Sequence, residues 1–106
     1  MPETVTNLLI EVKARLREIY GSRLQGVYLY GSYARGDQEP GSDVDILILL
    51  DRIDKYGLEI DRTGELISNL SLKFGLSISR LFVSENDWKY RDTPFLANAR
   101  EEAIPA

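Results

Sequence analysis

Apolar residues recur at three- and four-residue steps near the start of the chain: Val5, Leu8, Leu9, Val12, Leu16, Ile19 and Tyr20. That period belongs to an amphipathic helix, so Val5 to Tyr20 reads as helix, with Thr4 or Thr6 as its cap and Gly21 as its stop. Lys13, Arg15, Arg17 and Glu18 fall on the opposite face and read as solvated. The pattern then shortens. Val27-Tyr28-Leu29-Tyr30, preceded by Gly26, reads as a strand. Gly31 to Ser42 holds three glycines, a proline and two serines and reads as a loop with one helical turn near Ser32 to Arg35. Asp43 to Leu50 is the clearest strand. Val44 and Ile46 to Leu50 leave no polar face beyond its start, as in a strand buried on both sides.

Leu58 to Phe74 reads as a second long helix, with Leu66, Ile67, Leu70 and Phe74 as its stripe and Gly75 as its stop. Leu76 to Val83 reads as a third strand. Ser84 is placed to cap a helical turn, and Thr93-Pro94 is a cap followed by proline at the first helical position. A last short helix then covers Phe95 to Ala103. This order predicts an α/β or α+β domain, a small mixed sheet flanked by helices. At 106 residues the chain has enough surface to bury for one core and not for two, so residues 1–106 read as one domain.

Composition removes whole classes of chemistry. The chain has no Cys and no His. That excludes disulfides, thiolate nucleophiles, Ser-His-Asp triads and zinc sites of the usual kind. Carboxylates, hydroxyls, Lys, Arg, Tyr, backbone amides and hard cations remain. Thirteen basic residues stand against seventeen acidic ones, and no basic stripe is visible, so nucleic acid is not the expected partner. The longest apolar run is Ile46 to Leu50, too short for a membrane span, and Met1-Pro2-Glu3 does not open a signal peptide. The expected setting is the cytoplasm, which the lack of cysteine suits.

One stretch differs from the rest: Gly31-Ser32-Tyr33-Ala34-Arg35-Gly36, then Ser42-Asp43-Val44-Asp45. Positions i and i+2 of a strand project to one face, so Asp43 and Asp45 point at one spot. Two carboxylates there repel, and a divalent cation relieves the repulsion. All-oxygen ligation favours Mg²⁺ or Mn²⁺. A bare Asp-x-Asp is more often simply a turn. Gly31-Ser32 changes the weighing, because it follows a strand and opens a helical turn. Glycine lets the backbone approach a ligand, and free amides with the Ser32 hydroxyl attract phosphate oxygens. Arg35, one turn later, offers a fork of donors to the same anion. A phosphate-binding turn beside a carboxylate pair is equipment for phosphoryl or nucleotidyl transfer. Neither a Walker A sequence nor a kinase signature is present.

Gly31-Ser32, ten intervening residues, then Asp43-x-Asp45 resembles the signature of the nucleotidyltransferase superfamily that includes DNA polymerase β. Ala34-Arg35-Gly36 and the closing segment Thr93 to Glu102 bring the likeness nearest to the minimal nucleotidyltransferases, the MntA-like antitoxins paired with HEPN-domain toxins. The resemblance implies a polymerase β-like fold. It implies that Gly31 and Ser32 hold the phosphates of ATP, that Asp43 and Asp45 are catalytic and bind Mg²⁺, two ions in the full arrangement, and that an acceptor hydroxyl attacks the α-phosphate. The implied acceptor is a tyrosine of a HEPN-domain toxin, which makes the chain an adenylyltransferase antitoxin and part of a hetero-oligomer. With little room for an acceptor domain of its own, the chain is expected to take the acceptor from another protein.

The chain also departs from the family. Active members usually carry a third carboxylate on a neighbouring strand, here Leu76 to Val83, and that stretch contains no Asp or Glu. Ser77 or Ser79 stands where one is expected. The protein is then a catalyst that borrows or dispenses with this group, a form that binds nucleotide without turnover, or a module that acts by binding its HEPN partner. Trp88 and Tyr90 read as cover for a core edge. Arg80 interrupts the Ile78/Phe82 face, so it lies at a sheet edge or pairs with an acid.

Overall fold

A computed structural model describes all 106 residues. Helix α1 spans Glu3–Tyr20 and a short 3-10 turn covers Gly21–Arg23. Strand β1 follows at Leu24–Tyr30, then the one-turn helix α2 at Ser32–Arg35 and strand β2 at Val44–Leu50. Helix α3 is Tyr56–Phe74 and strand β3 is Ile78–Ser84. The chain closes with α4 at Glu85–Tyr90, α5 at Pro94–Glu102 and a two-residue strand β4 at Ile104–Pro105. The four strands form one sheet in the order β3-β2-β1-β4. β1 runs antiparallel to both β2 and β4, while β2 and β3 are parallel. The expected small mixed sheet flanked by helices is therefore what forms.

Alternation along the strands sorts the molecule into layers. Val44, Ile46, Ile48 and Leu50 of β2 join Val27 and Leu29 of β1 in the larger core, under α1 and α3. Leu47 and Leu49 point the other way and join Val83, Leu96 and Ala99, under α5. β2 is thus buried on both faces, as its continuous apolar run requires. Trp88 lies at the edge of the second core with its ring 5.4 Å from that of Tyr28.

Several sequence expectations need correction. Helix α1 starts two residues early, at Glu3, with Pro2 in the capping position and no side-chain cap. Thr4 and Thr6 lie inside the helix, and Thr6 turns its hydroxyl back to the Pro2 carbonyl. Ile19 lies off the buried stripe. β1 begins three residues early because Leu24 to Gly26 still pair with β2 across an irregular register. Leu76 lies in the turn that closes α3 after Gly75, its amide donating to the Ser71 carbonyl, so β3 starts only at Ile78. Tyr90 is 76% exposed and covers no core. Ser84 and Thr93 do cap α4 and α5, accepting from the amides of Asp87 and Leu96.

β3 is a sheet edge, and that decides the position of Arg80. Its Nε donates to the Thr63 hydroxyl at 2.7 Å and its Nη2 to the Ile60 carbonyl at 2.8 Å. The guanidinium satisfies α3 and pairs with no acid. β4 was not legible: two residues, one of them proline, carry no strand pattern. Its pairing, Tyr28 with Pro105 and Leu29 with Ile104, brings the end of α5 over the end of β1.

Candidate active site

Two chain turns meet at one end of the sheet. β1 ends at Tyr30, and Gly31 enters α2 with φ of 76° and ψ of −155°. Asp43 and Asp45 flank the first residue of β2, and Asp45 is the register partner of Tyr30. A Cβ built on Gly31 would overlap the Asp45 carboxylate. Glycine is needed here twice over, for its backbone angles and for the room that Asp45 takes. The loop between the two turns is fastened by Ser42, whose hydroxyl accepts from the Glu39 amide at 2.9 Å.

Asp45 is half-buried and Asp43 exposed. Burial first, then the charge of Asp43, pushes the Asp45 carboxyl up from its ordinary range; Arg35 opposes this and Glu102 adds to it. Neither aspartate has an ion-pair partner. Two like charges held together without a balancing cation suit a hard divalent ion. The protein has no group of three or more acidic side chains placed to hold an ion alone. The pair therefore fits Mg²⁺ in the manner of sites where substrate phosphates complete the coordination.

Arg35 turns toward the same place but is engaged. It pairs with Asp37 at 3.2 Å and with Glu102 at 3.3 Å. These neighbours hold its guanidinium more firmly charged than usual. Glu102 also accepts from the Gly31 amide at 3.1 Å. Beside this contact lies a cleft of about 450 Å³ between Tyr30, Gly31, Arg35, Phe95, Asn98 and Glu102. Tyr30 is pushed up to about 12 by burial, then by Asp45, Tyr56 and Glu102, so its hydroxyl keeps its proton at neutral pH.

Across the sheet, Ser79 is the register partner of Asp45 on β3. Ser77 lies before the strand, and its carbonyl accepts from the Val44 amide at 2.8 Å. Ser79 thus lies beside Asp45, and Ser77 beside Val44, between the two aspartates. Glu85 and Asp87 are in α4, beyond the far end of β3. A second cleft, about 420 Å³, follows β3 past Leu81 and Val83 between Tyr56 and Phe95.

Comparison with known proteins decides the family. The model of the nucleotidyltransferase domain matches residues 9–103, which takes in both turns. This chain belongs to the nucleotidyltransferase domain family. Within that family it is similar to the protein adenylyltransferase MntA of Thermococcus cleftensis, at 35% identity over 71% of this chain and 84% of that protein. Two Methanocaldococcus jannaschii proteins named provisionally as protein adenylyltransferases are also similar. MJ0141 is 36% identical over 71% of this chain and 75% of its own. MJ0604 is 39% identical over 66% of this chain, which spans 64% of that relative. Among solved structures, a toxin–antitoxin with AMP-PNP superposes with a TM-score of 0.62 at 20% identity, covering 90% of this chain and 69% of that one. A tri-AMPylated Shewanella oneidensis HEPN toxin in complex with MNT antitoxin gives 0.61 at 17% identity, covering 94% and 69%. At those identities the likeness is one of fold.

The Gly31-Ser32 turn and the Asp43-x-Asp45 pair thus meet at one end of the sheet, with Gly31 against Asp45. Glu102 is the site residue that sequence reasoning missed. It contacts Gly31 across 71 residues, and an acidic residue ending a short helix carries no signal of that. In the sequence Tyr30 is one of several aromatics crowding the first strand and its loop, with nothing to mark it as lining the cleft.

Proposed function

We propose that this chain, acting as one domain over residues 1–106, is a Mg²⁺-dependent adenylyltransferase antitoxin. It transfers AMP from ATP to a hydroxyl side chain of a HEPN-domain toxin in the cytoplasm and neutralises it within a hetero-oligomer. The observation that carries the reading is the contact of Gly31 with Asp45, which holds a phosphate-binding turn against a carboxylate pair. Support also comes from the names of the similar proteins, protein adenylyltransferase among them, and from the toxin–antitoxin complexes that share the fold.

Gly31 and Ser32 receive the outer phosphates through backbone amides and the Ser32 hydroxyl, with Arg35 adding positive charge. Asp43 and Asp45 would hold Mg²⁺, which would screen the phosphates and polarise the α-phosphorus. The acceptor oxygen forms a new P–O bond, the bond to the bridging oxygen breaks, and pyrophosphate leaves with its electron pair. Ser79 is a neutral hydroxyl and does not take the acceptor proton, which passes to water or to a base of the acceptor protein. The acidic charge balance fits a Mg-triphosphate and a protein acceptor, not nucleic acid.

The test incubates the chain and a HEPN-domain partner with Mg²⁺ and ATP labelled at the α-phosphate. Label moves to the partner, and transfer drops to background in D43A and D45A. A stable complex without transfer would replace this reading with that of a binding module, which the serine opposite Asp45 would then explain.

A further inference from the structure

The donors assigned to phosphate are already met by an anion of the same chain. Glu102 Oε1 accepts from the Gly31 amide at 3.1 Å, and its Oε2 lies 3.3 Å from Arg35 Nη1. The Glu102 side chain is 27% exposed and is held from two directions. Behind it, Leu96 and Ala99 of α5 pack on Leu47, Leu49 and Val83. Beyond it, β4 pairs with β1, and the Ala106 amide donates to the Val27 carbonyl at 2.8 Å. A carboxylate on a backbone amide and a guanidinium makes the contacts that a phosphate group makes with such donors. Two anions do not share one set of donors without strong repulsion.

We propose that Glu102 is a built-in competitor at the phosphate subsite: it occupies the Gly31 amide and Arg35 in the nucleotide-free protein and gives way when a triphosphate binds. This rests on the phosphate-binding reading given above. It makes the last turn of α5 part of the nucleotide response, because Glu102 reaches the subsite only while α5 and β4 are docked. It also sets nucleotide affinity below what Gly31, Ser32 and Arg35 alone would supply.

Isothermal titration of the full chain with inorganic tripolyphosphate, and separately with Mg-ATP, tests this. Tripolyphosphate reports on the phosphate donors without a base or a sugar. E102Q keeps the shape of the side chain and E102A removes it. Both tighten tripolyphosphate and Mg-ATP about 5- to 20-fold, the scale of a released charge-assisted contact. E18Q, on the exposed face of α1 and outside this cleft, changes either less than about twofold, as a surface charge does. If the wild-type chain binds both probes and the Glu102 variants bind them equally or more weakly, Glu102 merely positions Arg35; the competitor is overturned and the adenylyltransferase reading stands. If no variant binds either probe, the phosphate-binding reading falls and the competitor falls with it.

Discussion

At the scale of single residues, Gly31 carries more than any other position. Two effects separate there: backbone angles that side chains rarely adopt, and the space filled by Asp45. Gly36 has the first without the second, since its φ is 79° and nothing lies within 4 Å of an added Cβ. G36A is expected to cost about 1 kcal/mol, the usual penalty for a left-handed non-glycine residue. G31A is expected to cost about 3 kcal/mol or more and to displace Asp45, since its angles belong to a region that only glycine favours. Urea unfolding of the two variants measures the difference; equal losses would mean that Asp45 yields without cost. These residues were legible because Gly-Ser and Asp-x-Asp are short, local patterns with a chemical reason for each member. Glu102 was not, because nothing local distinguishes it from Glu101.

At the scale of elements, long periodic segments were legible and short or irregular ones were not. Helices α1 and α3 follow their apolar stripes, and the double burial of β2 follows from an unbroken run. Leu24 to Gly26 escaped notice because Gln25 and Gly26 break the strand pattern, and β4 because pairing with β1 alone defines it. The junction of β1, β2 and α3 at the far end of the sheet was invisible for the same reason. There Arg23 pairs with Asp51 at 3.2 Å and reaches the buried Glu59 at 3.4 Å, while Tyr20 donates to Glu59 at 2.9 Å. Partial desolvation pushes the Asp51 carboxyl up, but the Arg52 amide and the Arg23 guanidinium outweigh it, and the group lies below its ordinary range. A lowered carboxyl stabilises the fold above its unfolded pKa, and that stability is lost as pH falls through the folded value. D51N is therefore expected to lower Tm at pH 7, with the two melting curves converging once pH drops below the carboxylate range. A constant difference down to low pH would show that the charge of Asp51 is not what ties the junction.

At the scale of the whole molecule, the two ends of the sheet differ in how their charges are met. The far end is a network of satisfied charges, whereas the near end brings Asp43, Asp45 and Glu102 within electrostatic reach of one another, with Arg35 the only cation opposing Asp45. Burial and the Asp43 charge both disfavour ionised Asp45, so the folded protein at neutral pH carries a cost that the unfolded chain does not. A divalent ion held by the pair, as proposed, would remove that cost and, by binding only the folded state, would stabilise it further. D45N is expected to raise Tm in chelator at pH 7 by about 2–6 °C, since each kcal/mol moves a small domain by several degrees. Mg²⁺ at ten times its dissociation constant is expected to raise wild-type Tm by about 5–10 °C. D45N should lose that response, and its AMP transfer should be lost with it. Differential scanning calorimetry of both proteins, with and without Mg²⁺, reads all four temperatures. A D45N variant less stable than wild type in chelator, or still responsive to Mg²⁺, would mean that the aspartate pair is held for structure and not for a metal.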